Sequence, residues 1–394
     1  MRTEADLPFS LVEYDARLQQ TRRRMERDAI DVLIVTDPSN IAWLSGYDGW
    51  SFYVHQCLVV FHDRAPMWFG REQDANGARR TMYLPDDCIA SYPDEYVQAS
   101  DRHPMDILGG LLRDAEFTIA RVGVEMDNYY FSAACFNALR TQLPSAIFHD
   151  ATGLVNWARA IKSPQEIAYM RSVGALVSHM HAVIRDVAVP GIEKHRLVAE
   201  IYRAGIAGLP AISGDYPAIV PLLPSGRDAS APHLTWVERR LQRGEATFFE
   251  IAGCHRRYHC PQSRTIYFGD PPAEVRRAER ASLEAIDAML SVARPGAGAA
   301  DVAVALARVL KRFDIVKTSR SGYSVGMSYP PDWGERTISI RETDDTELVP
   351  GMTFHFIPAL WFDDWGIEIT ETVVITERGA EPLADTPREL TVKG

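Results

Sequence analysis

Two Pro-Gly pairs divide the second half of the chain into matching pieces, and this repetition constrains the fold more than any other feature. Ser163-Pro164-Gln165-Glu166 predicts a helix start: Ser as N-cap, Pro at the first position, Glu three residues after the Ser. That helix runs to about Val187 and stops at Pro190-Gly191, and IEKHRLVAEIYRAGIA follows as a second helix. A long helix recurs from Pro272 to about Val292, stops at Pro295-Gly296, and is followed by DVAVALARVLKRF. Strands come after each helix pair. The recurrence reads as an internal duplication, with two pseudo-equivalent halves enclosing a central site.

Inside the first repeat lies Thr247 to Gly269, TFFEIAGCHRRYHCPQSRTIYFG, which reads as a β-hairpin. Residues 247–252 lead in, Gly253 to Arg257 turn, and residues 263–268 lead out. Glu250 is a lone carboxylate in an apolar strand. A charge there is costly unless it is paired or used. An ion pair with Arg264 is the bland account of it, and catalysis the sharper one.

The first half alternates strands and helices: a helix over residues 11–28, strands over 31–37, 57–61, 66–69 and 118–127, and a helix over 131–143. Pro38-Ser39-Asn40 reads as a turn. This predicts an α/β domain with a parallel or mixed sheet, covering residues 1–160, with a second domain over 161–394. The 394 residues give both domains a core. The net charge of −11 argues against nucleic acid and anionic membrane as partners. No apolar run reaches the length of a membrane span, and MRTEADLPFSLVEYD lacks the regions of a signal peptide. Five scattered cysteines suggest a cytoplasmic protein with free thiols. Cys254-His255-x3-His259-Cys260 has zinc-type residues, but across a tight hairpin it reads as surface turn residues plus one inward His. GAGAA (296–300) follows a helix rather than a strand, so it is not read as a nucleotide loop.

DVLIVTDPSNIAWLSGY, RVGVEMDNYY, ARAIKSPQEIAYMR, PGIEKHRLVAEI, LLPSGRDASAPH, RGEATFFEIAG with SRT, LVPGMTFHFIP and GIEITETVVIT occur in order over nearly the whole chain. Together they resemble the creatinase, prolidase and methionine-aminopeptidase family. The resemblance implies an α/β N-terminal domain and a C-terminal α+β "pita-bread" domain. It also implies a homodimer in which one subunit's N-terminal domain closes over the other's site. The family's metallopeptidases hold two metal ions with two Asp, one His and two Glu. Here the matching positions are Glu250, Pro261, Tyr323, Ile357 and Thr370. Proline and isoleucine offer no side-chain ligand, so no metal and no cofactor are expected. The family also includes metal-free amidine hydrolysis, and its catalytic His position is kept as His233. Among such relatives, the FFEIAG, GYSVGMSYPPDWGER and FIPALWFDDWGIEITET segments are most similar to those of enzymes that open a small cyclic amidine carrying a carboxylate.

Strand parity then selects the side chains facing the old metal cavity. Phe248 and Ala252 share the face of Glu250, and His259 and Ser263 that of Pro261, which is expected opposite Glu250. His355 shares the face of Ile357. Glu368 and Thr372 share that of Thr370, while Glu371 points away. The expected catalytic residues are Glu250, as nucleophile or base, and His233, as general acid and base. The expected substrate-binding residues are Tyr323, His355, Glu368, Trp361 (or Trp365) and, from the partner subunit's lid, Phe52, flanked by Trp50 and Tyr53. The expected partner is a small zwitterion whose planar amidinium suits a carboxylate and aromatic faces. Alternatives are a metal-dependent Xaa-Pro peptidase, a creatinase-like enzyme on another zwitterion, and a non-catalytic peptide-binding module.

Overall fold

The computed structural model describes residues 7–394. It forms two compact units, one running through Arg159 and the other from Ala160. Among the described residues no helix is long and apolar enough to cross a membrane.

The first unit runs α1 (Leu11–Arg27), β1 (Val32–Val35), α2 (Pro38–Ser45), β2 (Cys57–Phe61), β3 (Met67–Arg71), α3 (Ala75–Thr81) and β4 (Ile89–Tyr92). It continues with α4 (Pro104–Asp114), β5 (Arg121–Val124), α5 (Ala133–Gln142), β6 (Ile147–Asp150) and α6 (Leu154–Arg159). Pro38-Ser39-Asn40 is not a turn but the start of α2. Asp37 accepts a hydrogen bond from the Ser39 N–H at 2.8 Å, and Pro38 sits in the first turn, where its missing N–H loses nothing. The six strands form one mixed sheet in the order β4-β3-β2-β1-β5-β6, with β2 antiparallel to both neighbours and the other pairs parallel. β1 and β2 are buried throughout, as their unbroken apolar runs require of central strands covered on both faces.

The second unit begins with α7 (Pro164–Val187), whose Ser163 and Glu166 form the expected capping box. Then come α8 (Lys194–Ala207), β7 (Ala246–His255), β8 (Tyr258–Phe268), α9 (Ala273–Val292) and α10 (Ala299–Arg312). The chain ends with β9 (Gly322–Val325), β10 (Gly334–Ser339), β11 (Thr353–Phe356), β12 (Leu360–Trp361), β13 (Gly366–Ile367), β14 (Glu371–Thr376), β15 (Gly379–Pro382) and β16 (Thr391–Lys393). The order of long helix, second helix and strands thus occurs twice. The strands form a sheet β10-β9-β11-β14-β15, a sheet β16-β8-β7, and the pair β12-β13. One core fills the space between α9, α10 and the five-stranded sheet, with Ile286, Leu306, Phe354 and Ile375 at its centre.

The hairpin is longer than expected. β7 and β8 stay paired to His255↔Tyr258, so only Arg256 and Arg257 turn, both at positive φ (52° and 65°). Two successive left-handed residues make a type I′ turn, usually built from Asn-Gly. Holding non-glycine residues there costs roughly 1–2 kcal/mol each. Tertiary contacts offset this at Arg257. Its guanidinium lies 3.7 Å over the Tyr216 ring, and its carbonyl accepts from the Ser328 N–H at 2.9 Å. Gly253 is a mid-strand residue, not part of the turn. A Cβ there would lie 2.6 Å from the Val173 carbonyl, so glycine is what lets α7 approach β7.

Candidate active site

Side chains alternate along β7, and the register puts Ser263 directly opposite Glu250 and Pro261 opposite Ala252. Glu250 therefore shares a face with Phe248, Ala252, Pro261, Ser263 and Thr265. Pro261 is its diagonal neighbour rather than its cross-strand partner. Arg264 pairs with Phe249 and lies on the other face. It is engaged there by Glu371 at 2.5 Å and by the carbonyls of Thr370 and Thr386 at 2.6 and 2.9 Å. The ion-pair account of Glu250 fails on this geometry, and Glu371 does lie with Arg264 on the face away from Glu250.

Glu250 is 8% exposed. Its main chain pairs with Leu222 through two 3.0 Å hydrogen bonds, while its carboxylate has no hydrogen-bond partner among the described residues. Burial, and then repulsion from Glu368, raise its pKa well above the usual carboxylate range. Glu368, between β13 and β14, is buried too. Its Oε1 accepts from Trp361 Nε1–H at 2.8 Å, and its Oε2 is enclosed without a partner. Burial raises Glu368 to about 7, against the lowering influence of Ser263, Trp361 and Lys317. The Ser263 hydroxyl is close enough to exert that influence, yet neither it nor Oε2 closes a hydrogen bond of ordinary geometry. Lys317 reaches the same corner. Its ammonium lies 4.5 Å over the Trp361 ring and donates to Ser319 Oγ and the Ala359 carbonyl, and burial lowers its pKa to about 8.

Tyr323 on β9 and His355 on β11 are cross-strand partners. The ring of His355 touches Tyr323 Oη through Nδ1 (3.3 Å) and Thr370 Oγ1 through Nε2 (2.7 Å). Burial, then Arg320 and Arg264, lower its pKa to about 3, so it is neutral. Trp333 Nε1–H donates to Tyr323 Oη at 2.8 Å, and Arg320 stacks 4.0 Å over the Tyr323 ring. Burial, then the negative charge of Glu250, push the phenol's pKa up, so it keeps its proton. Ala218, Ala252 and Trp333 pack beside Tyr323 as an apolar wall.

Glu250, Glu368, Tyr323, His355 and Trp361 are thus linked through a chain of contacts and mutual electrostatic influence. His233 is not. It is exposed, on the loop after the short 3-10 turn Gly226–Ser230, and no contact among the described residues ties it to Glu250. Phe52 belongs to the first unit, half-buried between α2 and β2, with Trp50 and Tyr130 rings 4.9 and 6.0 Å away. Trp50 and Tyr53 are exposed. Trp365 stacks on Phe362 at 4.2 Å and packs against the α9–α10 core instead of beside Trp361. His259 does share the Glu250 face, but both nitrogens serve the main chain: Nε2 accepts from the Ala218 N–H and Nδ1 donates to the Arg257 carbonyl, each at 2.9 Å. With Cys254 and Cys260 it is buried strand, not surface turn. Trp333, Lys317 and Thr370 are the contributors that sequence reasoning missed. Trp333 lies within the GYSVGMSYPPDWGER segment, where it was the aromatic to single out.

Among the described residues, one group of three His, Cys or acidic side chains has its ligand atoms within 4.8 Å of one another: His55, His103 and Cys135, in the first unit. His103 Nδ1 there accepts from the Met105 N–H at 3.1 Å and caps α4, which leaves its Nε2 protonated.

Residues 168–377 match the model of metallopeptidase family M24, and residues 17–161 that of the creatinase/prolidase N-terminal domain. The chain is 55% identical over 397 residues to the ectoine hydrolase of Halomonas elongata, covering 99% of this chain and 100% of that one. It is 43% identical to an uncharacterized hydrolase/peptidase of Sinorhizobium fredii, covering 98% and 99%. Prolidase from Pyrococcus horikoshii has the same fold, with a TM-score of 0.80 at 18% identity over 95% of this chain and 99% of that one. The chain belongs to the M24 metallopeptidase family, with a creatinase-like α/β N-terminal domain and a pita-bread C-terminal domain.

Proposed function

We propose that this protein opens the ring of ectoine, a cyclic amidine carrying a carboxylate, to give N-acetyl-L-2,4-diaminobutyrate, and that it does so without a metal. The observation that carries the proposal is a buried carboxylate pair with unused acceptor capacity. Among the described residues neither Glu250 nor Glu368 is in a salt bridge, and the Glu250 carboxylate and Glu368 Oε2 lack hydrogen bonds. Such a pair favours a planar cation that offers N–H donors. Similarity to the Halomonas enzyme supports ectoine as that cation.

The family implies divalent metal, and the residues present do not fit it. Hard ions need several oxygen or nitrogen ligands. Pro261 faces Ala252, and Ile357 is apolar. The nearby imidazole, His355, has both nitrogens committed to Tyr323 and Thr370. No step is routed through a metal.

In this reading Glu250 attacks the amidine carbon or activates the water that does, and the Ser263 and Tyr323 hydroxyls offer hydrogen bonds to the charge that forms. His233 protonates the leaving ring nitrogen and then activates water. What supports this role is where its loop starts. It departs from Ala229, whose carbonyl would lie 2.1 Å from a Cβ on Gly366, beside Trp361 and Glu368. Four extended residues span about 13 Å. A cytoplasmic homodimer, with Phe52 supplied by the partner, completes the proposal. A monomer in light scattering would remove Phe52 from it.

The test is incubation with ectoine and NMR identification of the product. Ring opening by the wild type and none by a folded Glu250→Gln variant are expected. A wild type without ring opening would discard the substrate, and an active Glu250→Gln would discard the role of Glu250.

A further inference from the structure

Thr370 stands where the metallopeptidases of the family carry their last glutamate, and its hydroxyl has a different use here. Thr370 Oγ1 accepts from the Ser263 N–H at 2.7 Å and meets His355 Nε2 at 2.7 Å. His355 Nδ1 meets Tyr323 Oη at 3.3 Å, and Tyr323 Oη accepts from Trp333 Nε1–H at 2.8 Å. The neutral imidazole carries one proton, so two arrangements of the chain are possible. If the proton is on Nε2, His355 donates to Thr370 and Tyr323 donates to His355. The Thr370 hydroxyl hydrogen, wholly enclosed, then has no acceptor among the described residues. If the proton is on Nδ1, Thr370 donates to Nε2 and Nδ1–H donates to Tyr323. Tyr323 Oη then receives two hydrogen bonds, and its own hydrogen is the one left over. That hydrogen is in the better place, because Tyr323 is partly open whereas Thr370 is wholly enclosed. Buried donors are rarely left unpaired, so the second arrangement prevails.

We infer that Thr370, acting through the Nδ1–H tautomer of His355, turns the Tyr323 hydroxyl into a hydrogen-bond donor aimed at the substrate beside Glu250. Thr370 and His355 are positioning residues. Tyr323 is the group that touches substrate. Trp333 donates to Tyr323 Oη in either arrangement, since its indole N–H can only donate.

The inference rests on the proposed amidine hydrolysis for its kinetic consequence and on the hydrogen-bond chain alone for the tautomer, so the two are tested separately. In substrate-free protein labelled with 15N-histidine, the His355 signal is identified by its loss in His355→Asn. Protonation at Nδ1 is expected, and protonation at Nε2 overturns the inference whatever the enzyme acts on. With ectoine as substrate, Thr370→Val lowers kcat by about 10-fold, the worth of one well-placed hydrogen bond, and Thr370→Ser restores it. In a Tyr323→Phe background the same Thr370→Val change costs less than about 2-fold, because the hydroxyl it orients is gone. An equal loss in both backgrounds assigns Thr370 a purely structural role and overturns the inference. If Thr370→Val does not fold, full loss of kcat in a folded Thr370→Ser overturns it as well, since serine keeps the donor.

Discussion

Replacing Glu368 by Gln is expected to stabilise the protein at alkaline pH and to leave it almost unchanged in acid. The folded-state pKa of Glu368, about 7, lies above the ordinary value of 4.5, chiefly because of burial. Between those values the folded protein holds a proton that the unfolded chain has released. Stability therefore falls as pH rises through this window, and the whole cost is present above about pH 7. At about 1.4 kcal/mol per tenfold change in proton affinity, that rise makes the cost on the order of 3 kcal/mol. Gln removes it without leaving a hole. Its carbonyl can accept from Trp361 Nε1–H as Oε1 does now, and its amide can donate toward the unpartnered Ser263 hydroxyl. Urea unfolding of both proteins at half-unit steps from pH 4.5 to 8.5 is the assay. The difference in unfolding free energy should be near zero at the acid end and grow to about 3 kcal/mol by pH 8, in favour of the variant. A difference that does not vary with pH, or a variant less stable at pH 8, would refute the claim that Glu368 is buried without adequate compensation.

Three other outcomes follow from the same structure. Exhaustive chelation leaves ectoine turnover at its full rate, and a loss restored by a divalent ion would revive the metallopeptidase alternative. Arg256→Asn, at an exposed position with φ of 52°, stabilises the fold by about 0.5 kcal/mol in thermal unfolding, because Asn tolerates the left-handed region better than Arg. His233→Asn lowers kcat for ectoine at least about 100-fold with little change in unfolding free energy, since a general acid is lost from an exposed loop; turnover near the wild-type rate removes His233 from the mechanism.

Much of the fold is legible in the residues because local signals and long-range order agree. The Ser163–Glu166 box, the Pro-Gly stops and the unbroken apolar runs of β1 and β2 each have one physical reading. Pro38 has two, since proline suits both a turn and a first helical position. Asp37 decides the matter by capping α2, a contact visible only once the backbone is placed. The site divides in the same way. Period-two alternation is enough to put Glu250 and Ser263 on one face, Arg264 on the other, and Glu368 in the cavity. What alternation cannot supply is strand-to-strand register or the course of irregular chain. Trp333 reaches Tyr323 from the start of β10, whose pairing with β9 slips between Gly334 and Ser339. Lys317 reaches Glu368 from a loop, and His233 stands on one. Position-matching to the family named Thr370 only as a missing ligand, since the hydroxyl's partners lie on two other strands.

The loss of the metal positions leaves an electrostatic problem that the remaining residues explain. Two divalent ions would bring four positive charges to a cavity lined by carboxylates. Here Pro261 and Ile357 replace two candidate ligands by apolar groups, Tyr323 keeps its proton, and Glu250 and Glu368 are buried carboxylates that can be negative. Burial raises both above the usual carboxylate range, and repulsion from Glu368 adds to the rise at Glu250, so protonation competes with ionisation where the metals' charge would be. A proton is easily displaced. In the proposed mechanism, an amidinium that enters with its own charge lets both carboxylates ionise, and Glu250 becomes an anion when the electrophilic carbon is already beside it. Binding and activation are then one event: a cationic substrate generates its own nucleophile or base, and a neutral analogue of the same shape leaves the pair protonated and inert. That coupling, rather than shape alone, is the physical basis this mechanism proposes for selecting an amidine.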